Sequence, residues 1–389
     1  MLTGKKGASF GTIVAVFGSI LIALGIAWLI AQNWHQLPSA VKIVILLVVT
    51  SAAYTSGTIF RVKGHQGTGK SLLILGALLY TLSIFLIAQI FSTSTSFQGT
   101  AWLLLLAWIG VIAAAYLFDS SASLVIALFE FIIWLVIQFI AFMEAKDDMI
   151  SPGILAFYFL TAGILLYGLS LFHRSKGYKF ARVYQWWTAF YFLLFTYILT
   201  FQTLLPLMWP KEAASASNSL VFLLFFGIAA SASILIGLVK AVSNKSVQNK
   251  EIFAFIAVVV LLGVIIGLTS FVSEDNGDML SWFLGGRGEV STALWAMWIF
   301  VNITFILAIL GIIFYGTWQK LPKIINLGVI FFGLDVITRY VGFIMDLWGY
   351  TSLSVIFITG GIVLLAGGYF IEKWRRNLIT KTEPAKKTK

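Results

Sequence analysis

Runs of about 20 apolar residues follow one another along almost the whole chain, and they limit its possible folds more than any other feature. One of them is LLILGALLYTLSIFLIAQIF, at residues 72–91. A helix of that length crosses the roughly 30 Å hydrocarbon core of a bilayer. Charged residues make up only 11% of the chain, against about 25% in soluble domains. The sequence therefore predicts an all-α integral membrane protein, a polytopic helical bundle in a lipid bilayer.

Twelve such runs predict twelve transmembrane helices. They are predicted at residues 10–31, 39–60, 70–91, 99–118, 121–143, 152–172, 181–204, 218–240, 251–272, 293–316, 323–344 and 350–371. With the N-terminus inside the cell and the sides alternating, 21 of the 26 Lys and Arg residues fall in cytoplasmic segments. Such a bias is typical of cytoplasmic loops. Both termini are predicted to be cytoplasmic, in a multi-pass protein of the cell membrane.

The same charge pattern argues against nucleic-acid binding, because the net charge of +11 is explained by membrane topology. The chain has no cysteine, which excludes thiolate catalysis and cysteine-bound metals. His35, His65 and His173 are expected in loops, and no metal-ligand or catalytic-triad spacing can be built from them. The sequence predicts no catalytic residues, no metal site, no cofactor and no enzyme activity.

One segment fits the pattern of a phosphate-binding loop. GHQGTGKS, at residues 64–71, matches G-x-x-x-x-G-K-S letter by letter. Such a loop needs a strand before it and a helix after it, whereas here a predicted membrane helix lies on each side. We interpret the match as coincidence and Lys70 as a charge that fixes topology.

Three charged residues are predicted at membrane depth, where charges are rare and face a bundle interior or an aqueous cavity. Asp335 and Arg339 lie one helical turn apart and can pair directly. At 1.5 Å per residue Asp335 lies about 18 Å into its span and Glu130 about 14 Å into its own. Glu130 is thus a candidate second acceptor for Arg339. Gly328 and Gly342 share the face of the pair and are expected to admit a neighbouring helix closely.

Two stretches resemble a known family. They are LGIAWLIAQNWHQLPSAVKI and LYTLSIFLIAQIFSTSTSFQGTAWLLLLAWIG, which resemble the predicted prokaryotic membrane proteins named domain of unknown function 2157 over residues 10–118. The resemblance implies a multi-pass membrane protein and supplies no activity. Asn33, Trp34 and Gln89 match its pattern and are expected to form a polar patch at the outer ends of the first and third spans. The chain is therefore predicted to have three regions. The resemblance defines a family-like region at residues 1–118, a remaining transmembrane bundle follows at 119–372, and the basic residues near the C-terminus define a cytoplasmic tail at 373–389.

Two classes of function remain open at this point. The first is a transporter of a small solute or ion, with Glu130, Asp335 and Arg339 along its path. The second is a non-catalytic scaffold or regulatory protein that binds a protein partner, with the same charges holding the bundle together. A water-filled cavity at Glu130 or Asp335 would favour the first class.

Overall fold

A computed structural model shows the architecture as helical. It describes residues 38–91, 96–144, 152–201, 218–245, 247–269 and 292–347, with scattered residues between 14 and 32 and between 358 and 377. The continuous ranges contain ten long helices. They are α1 (Ser39–Val62), α2 (Gln66–Ile90), α3 (Phe97–Leu117), α4 (Ser121–Glu144), α5 (Pro152–Ser175), α6 (Ala181–Leu199), α7 (Asn218–Ser243), α8 (Asn249–Thr269), α9 (Thr292–Trp318) and α10 (Pro322–Leu347).

Six of these helices are long and apolar enough to cross a membrane. They are α1, α2, α3, α4, α9 and α10. Their outward side chains suit lipid, as on α1, where Val44, Leu47 and Val48 are each more than half exposed. The prediction of an all-helical membrane protein is confirmed. The count of twelve spans and the cytoplasmic placement of both termini stay predictions.

The chain divides into two compact units at residue 149, and each contains its own helix packing. The predicted boundary at residue 118 rested on the family resemblance and stays a prediction. In unit 1, α1 packs along α2 and α3 packs along α4, with α2 contacting both of the latter helices. Here α1 and α2 approach closely, because a Cβ on Gly69 would lie 2.8 Å from the Gly57 carbonyl oxygen.

Unit 2 is built around α6, which packs against α5, α9 and α10. Twelve of its nineteen residues are buried, including Trp187 and Tyr184, which are among the largest fully buried side chains. Although α6 is described throughout, it is not among the six candidate spans. Its neighbours explain this, since a helix that packs against three others can carry Gln185 and many aromatic residues where a lipid-facing helix needs aliphatic ones.

Only Gly64 and His65 of the GHQGTGKS segment lie outside a helix. Helix α2 begins at Gln66, so Lys70 lies in a helix and no loop of amides surrounds a phosphate position. Gly69 of this segment instead packs against Arg61 of α1. The interpretation of the match as coincidence agrees with this geometry.

Glycine contacts differ in part from the expectation. Gly328 does admit a close neighbour, since a Cβ there would lie 2.5 Å from Ile313 of α9. Gly342 has open space instead, with no described atom within 4 Å of a Cβ built on it. Helix α10 meets α9 along its first half at Gly328, whereas a close approach at Gly342 is not found among the described residues and stays a prediction.

Candidate functional site

The most connected polar group of unit 2 is Glu251, in the first turn of α8. Its side chain is only 4% exposed. Arg174 near the end of α5 pairs with both carboxylate oxygens. Tyr315 of α9 donates its hydroxyl to Oε1 at 3.2 Å, and the amide of Gln319 donates to Oε2 at 3.3 Å. Buried charges need such partners, and here they come from α5, from α9 and from the turn that follows α9.

The network extends to a fourth helix. Gln185 of α6 donates from Nε2 to the Tyr315 hydroxyl, while the Tyr167 hydroxyl of α5 lies 3.5 Å from Glu251 Oε1. A double hydrogen bond from a guanidinium to a carboxylate is strong and fixes orientation. Glu251 therefore fixes Arg174 in place and connects α5, α6, α8 and α9 at one end of the unit.

A cavity of about 560 Å³ opens beside this network. The polar side chains that line it include three cations and two amides: Arg174, Lys179, Arg182, Gln185 and Gln319. No acidic residue is among the described residues of its lining. The turn between α5 and α6 gives it shape, and Gly177 in that turn has a φ of +62°, a conformation that glycine adopts easily.

The predicted pair Asp335–Arg339 lies on α10. Arg339 Nε is 3.3 Å from Asp335 Oδ1, and the two side chains are 37% and 15% exposed respectively. Arg339 also donates to Asn302 Oδ1 of α9. Both of its terminal nitrogens lie 3.4 Å from the carbonyl oxygen of Thr200, just after α6.

Trp298 of α9 completes this arrangement. Its indole N–H donates to the same Thr200 carbonyl at 2.9 Å, and its ring faces the Arg339 guanidinium at 5.7 Å. The last carbonyls of a helix lack partners within the helix, so Arg339 and Trp298 together satisfy one at the end of α6. The arrangement joins α6, α9 and α10.

Glu130 lies on α4 in unit 1 and is 6% exposed. The Thr81 hydroxyl of α2 donates to its Oε1. Its Oε2 is buried and has no hydrogen-bond partner among the described residues. The described partners of the Arg339 guanidinium are Asp335, Asn302 and Thr200, so a cluster that includes Glu130 stays a prediction.

The remaining predicted residues are less connected. Gln89 is exposed in the last turn of α2, while Asn33, Trp34 and His35 lie outside the described residues, so the polar patch stays a prediction. His65 precedes α2, in agreement with its expected place in a loop.

His173 differs from the expectation. It lies within α5 and is 5% exposed. Its Nδ1 lies 2.7 Å from the Leu169 carbonyl oxygen, and its ring stacks on that of Tyr184. Burial lowers the pKa of His173, as expected for a cation removed from water. The loop assignment is wrong because α5 continues for one turn past the apolar run.

The Glu251 network was missed by sequence reasoning. Glu251 stands at the start of an apolar run, where an acidic residue usually marks a solvated helix end. Arg174 is one of the 21 basic residues in predicted cytoplasmic segments, and its charge is explained there by membrane topology. The signal that could have found them was the pairing of one acidic residue with an excess of basic ones at the same predicted face. Among the described residues no group of three or more His, Asp or Glu side chains could hold a metal ion.

The comparisons with known proteins agree with the sequence interpretation of the first unit. Residues 2–124 match the family model described as predicted membrane protein (DUF2157). The resemblance expected over residues 10–118 is thereby confirmed, and the match lies within unit 1. No curated protein and no solved structure matches the chain.

Proposed function

We propose that the protein is a non-catalytic membrane scaffold or regulatory protein, in which Asp335 and Arg339 hold helices together. The observation that carries this proposal is the set of acceptors around Arg339. Nη1 and Nη2 both contact the Thr200 carbonyl oxygen, Nη2 also donates to Asn302, and Nε forms an ion pair with Asp335. A residue on a transport path must exchange partners, whereas these contacts come from three different elements and restrain Arg339 together.

The first test compares Arg339→Leu with the double change Asp335→Leu and Arg339→Leu. The single change leaves a half-buried Asp335 carboxylate without its cation, which costs about 1–3 kcal/mol. The double change removes both charges and should be less harmful, because replacing an ion pair by apolar residues is often close to neutral. The midpoint of thermal unfolding of the purified protein in detergent measures the difference.

A matched control separates this pair from the loss of the other Arg339 contacts. Asn302→Leu removes one acceptor and leaves the ion pair, so its effect should be smaller than that of Arg339→Leu. Equal loss of stability in the single and double variants would show that the two charges are not partners. The proposal that Asp335 and Arg339 hold helices together as a pair would then be wrong.

The second candidate function is transport of a small solute or ion past Glu130. The observation that favours it is the buried Oε2 of Glu130, which has no described partner and could accept a proton. Vesicles that contain the purified protein and a pH-sensitive dye test this directly. Proton entry driven by a pH gradient that is lost in Glu130→Gln, at unchanged thermal stability, would establish transport. Equal proton entry into vesicles with the native protein and vesicles with the Glu130→Gln variant would rule out transport past Glu130.

A further inference from the structure

We propose that the basic cavity between α5, α6 and the start of α10 is a binding site for a phosphate group. This site is separate from the Asp335–Arg339 pair, and the inference holds whether or not that pair is structural. The volume of about 560 Å³ falls within the range of small-molecule pockets, roughly 300–1,000 Å³. It can hold a phosphate together with the group that carries it.

The charge of the cavity identifies the ligand as an anion. Arg174, Lys179 and Arg182 contribute three positive charges to the lining. The carboxylate that balances Arg174 is Glu251, and the lining includes no acidic residue among those described. The formal charges of these four residues sum to +2. A phosphate monoester carries between one and two negative charges near neutral pH and suits a lining of this sign.

The geometry suits an oxyanion that is bound by guanidinium groups. Glu251 orients the planar guanidinium of Arg174 from behind, through contacts to both carboxylate oxygens. Orientation by a second residue is a common feature of functional sites. Arg182 is exposed at the beginning of α6, and guanidinium groups bind phosphate oxygens in pairs. Helix α6 begins at Ala181 and α10 begins directly after Leu321, and both residues line the cavity.

Two sources could supply this phosphate. The predicted topology puts the α5–α6 turn on the cytoplasmic side, where basic pockets between membrane helices bind anionic lipid headgroups. A soluble phosphate compound from the cytoplasm carries the same group. The shared chemistry is the phosphate monoester, and the probes of the experiment separate its lipid and soluble forms.

The experiment titrates the purified full-length protein in neutral detergent with three probes. They are a short-chain phosphatidic acid, inorganic phosphate and the zwitterionic short-chain phosphatidylcholine. Binding to the folded state raises the midpoint of thermal unfolding as the probe concentration increases, which gives an apparent Kd. We expect phosphatidic acid to stabilise the native protein and phosphatidylcholine to have little effect. Stabilisation by inorganic phosphate at a comparable concentration would identify a soluble ligand, and its absence a lipid headgroup.

The variant Lys179→Gln with Arg182→Gln removes two of the three cations of the lining, both at exposed positions, so the fold should be retained. We expect its apparent Kd for the binding probe to be at least about tenfold weaker, because charge-assisted hydrogen bonds are lost. The charge-matched control is Lys63→Gln with Lys70→Gln, two exposed cations of unit 1 on the same predicted face. The single variant Arg182→Lys keeps the positive charge, so its affinity for the probe should fall less than that of Arg182→Gln.

Three results would overturn the proposal. The first is the same apparent Kd in the native protein and the cavity variant. The second is an equal loss in the cavity variant and the control, which would show general attraction between charges. The third is no stabilisation by either anionic probe. The midpoint of unfolding without a probe, together with the elution volume, shows whether each variant is folded.

Discussion

Two glutamates, one in each unit, are equally buried and have very different surroundings. Glu130 is 6% and Glu251 4% exposed. Glu130 accepts one described hydrogen bond, from Thr81, whereas Glu251 is bound by a guanidinium, a hydroxyl and an amide. The same side chain at a similar degree of burial can therefore have several partners, or can leave one carboxylate oxygen without a described partner. The polar residues of the neighbouring helices decide which of the two occurs.

The largest effect is expected at Glu251. Glu251→Leu removes the acceptor for Arg174, whose side chain is only 14% exposed. Breaking a buried ion pair by removing one partner costs about 3–5 kcal/mol, so we expect a large decrease in the thermal midpoint in detergent. The double change Arg174→Leu with Glu251→Leu should recover much of the loss. A single variant as stable as the native protein would show that the pair does not hold unit 2 together.

The next prediction concerns helix packing in unit 2. It compares the stability lost at a close contact between helices with the stability lost at the buried ion pair. In Gly168→Ala the new Cβ would lie 2.4 Å from Ser233 Oγ and 2.6 Å from the Ser233 carbonyl carbon on α7. Relief of that overlap must move backbone, which costs about 1–3 kcal/mol. Gly311→Ala on α9 is the control, since no described atom lies within 4 Å of its Cβ. Equal unfolding midpoints in the two variants would contradict this view of the α5–α7 contact.

The last prediction makes the same substitution, glutamate to glutamine, in both units. The smallest effect on stability is expected at Glu130. In Glu130→Gln the Thr81 hydroxyl can still donate to the amide oxygen, so the free energy of unfolding should change by less than about 1 kcal/mol. Glu251→Gln leaves Arg174 without a negative charge and should destabilise several-fold more. Thermal midpoints measured side by side check the ranking. A larger effect at Glu130 would reverse the assignment of roles.

Much of the fold could be predicted from the sequence. Apolar runs located ten helices, because the thickness of the bilayer sets the length of such runs. The ion pair between Asp335 and Arg339 was also accessible, since residues four apart lie on one face of a helix. By contrast, Arg174 and Glu251 are 77 residues apart, and only the packing of α5 against α8 brings them together. Asn302 and Thr200 were missed as acceptors for Arg339 for the same reason.

Helix α6 has a consequence for how the chain is made. Its glutamine and its buried aromatic residues are stable because α5, α9 and α10 pack against it, but α9 begins at Thr292, long after α6 ends at Leu199. A helix that enters lipid alone must be apolar along most of its length. We therefore expect α6 to stay beside the insertion machinery during synthesis until α9 has emerged. Membrane assembly of unit 2 would then depend on the order in which its helices are synthesised.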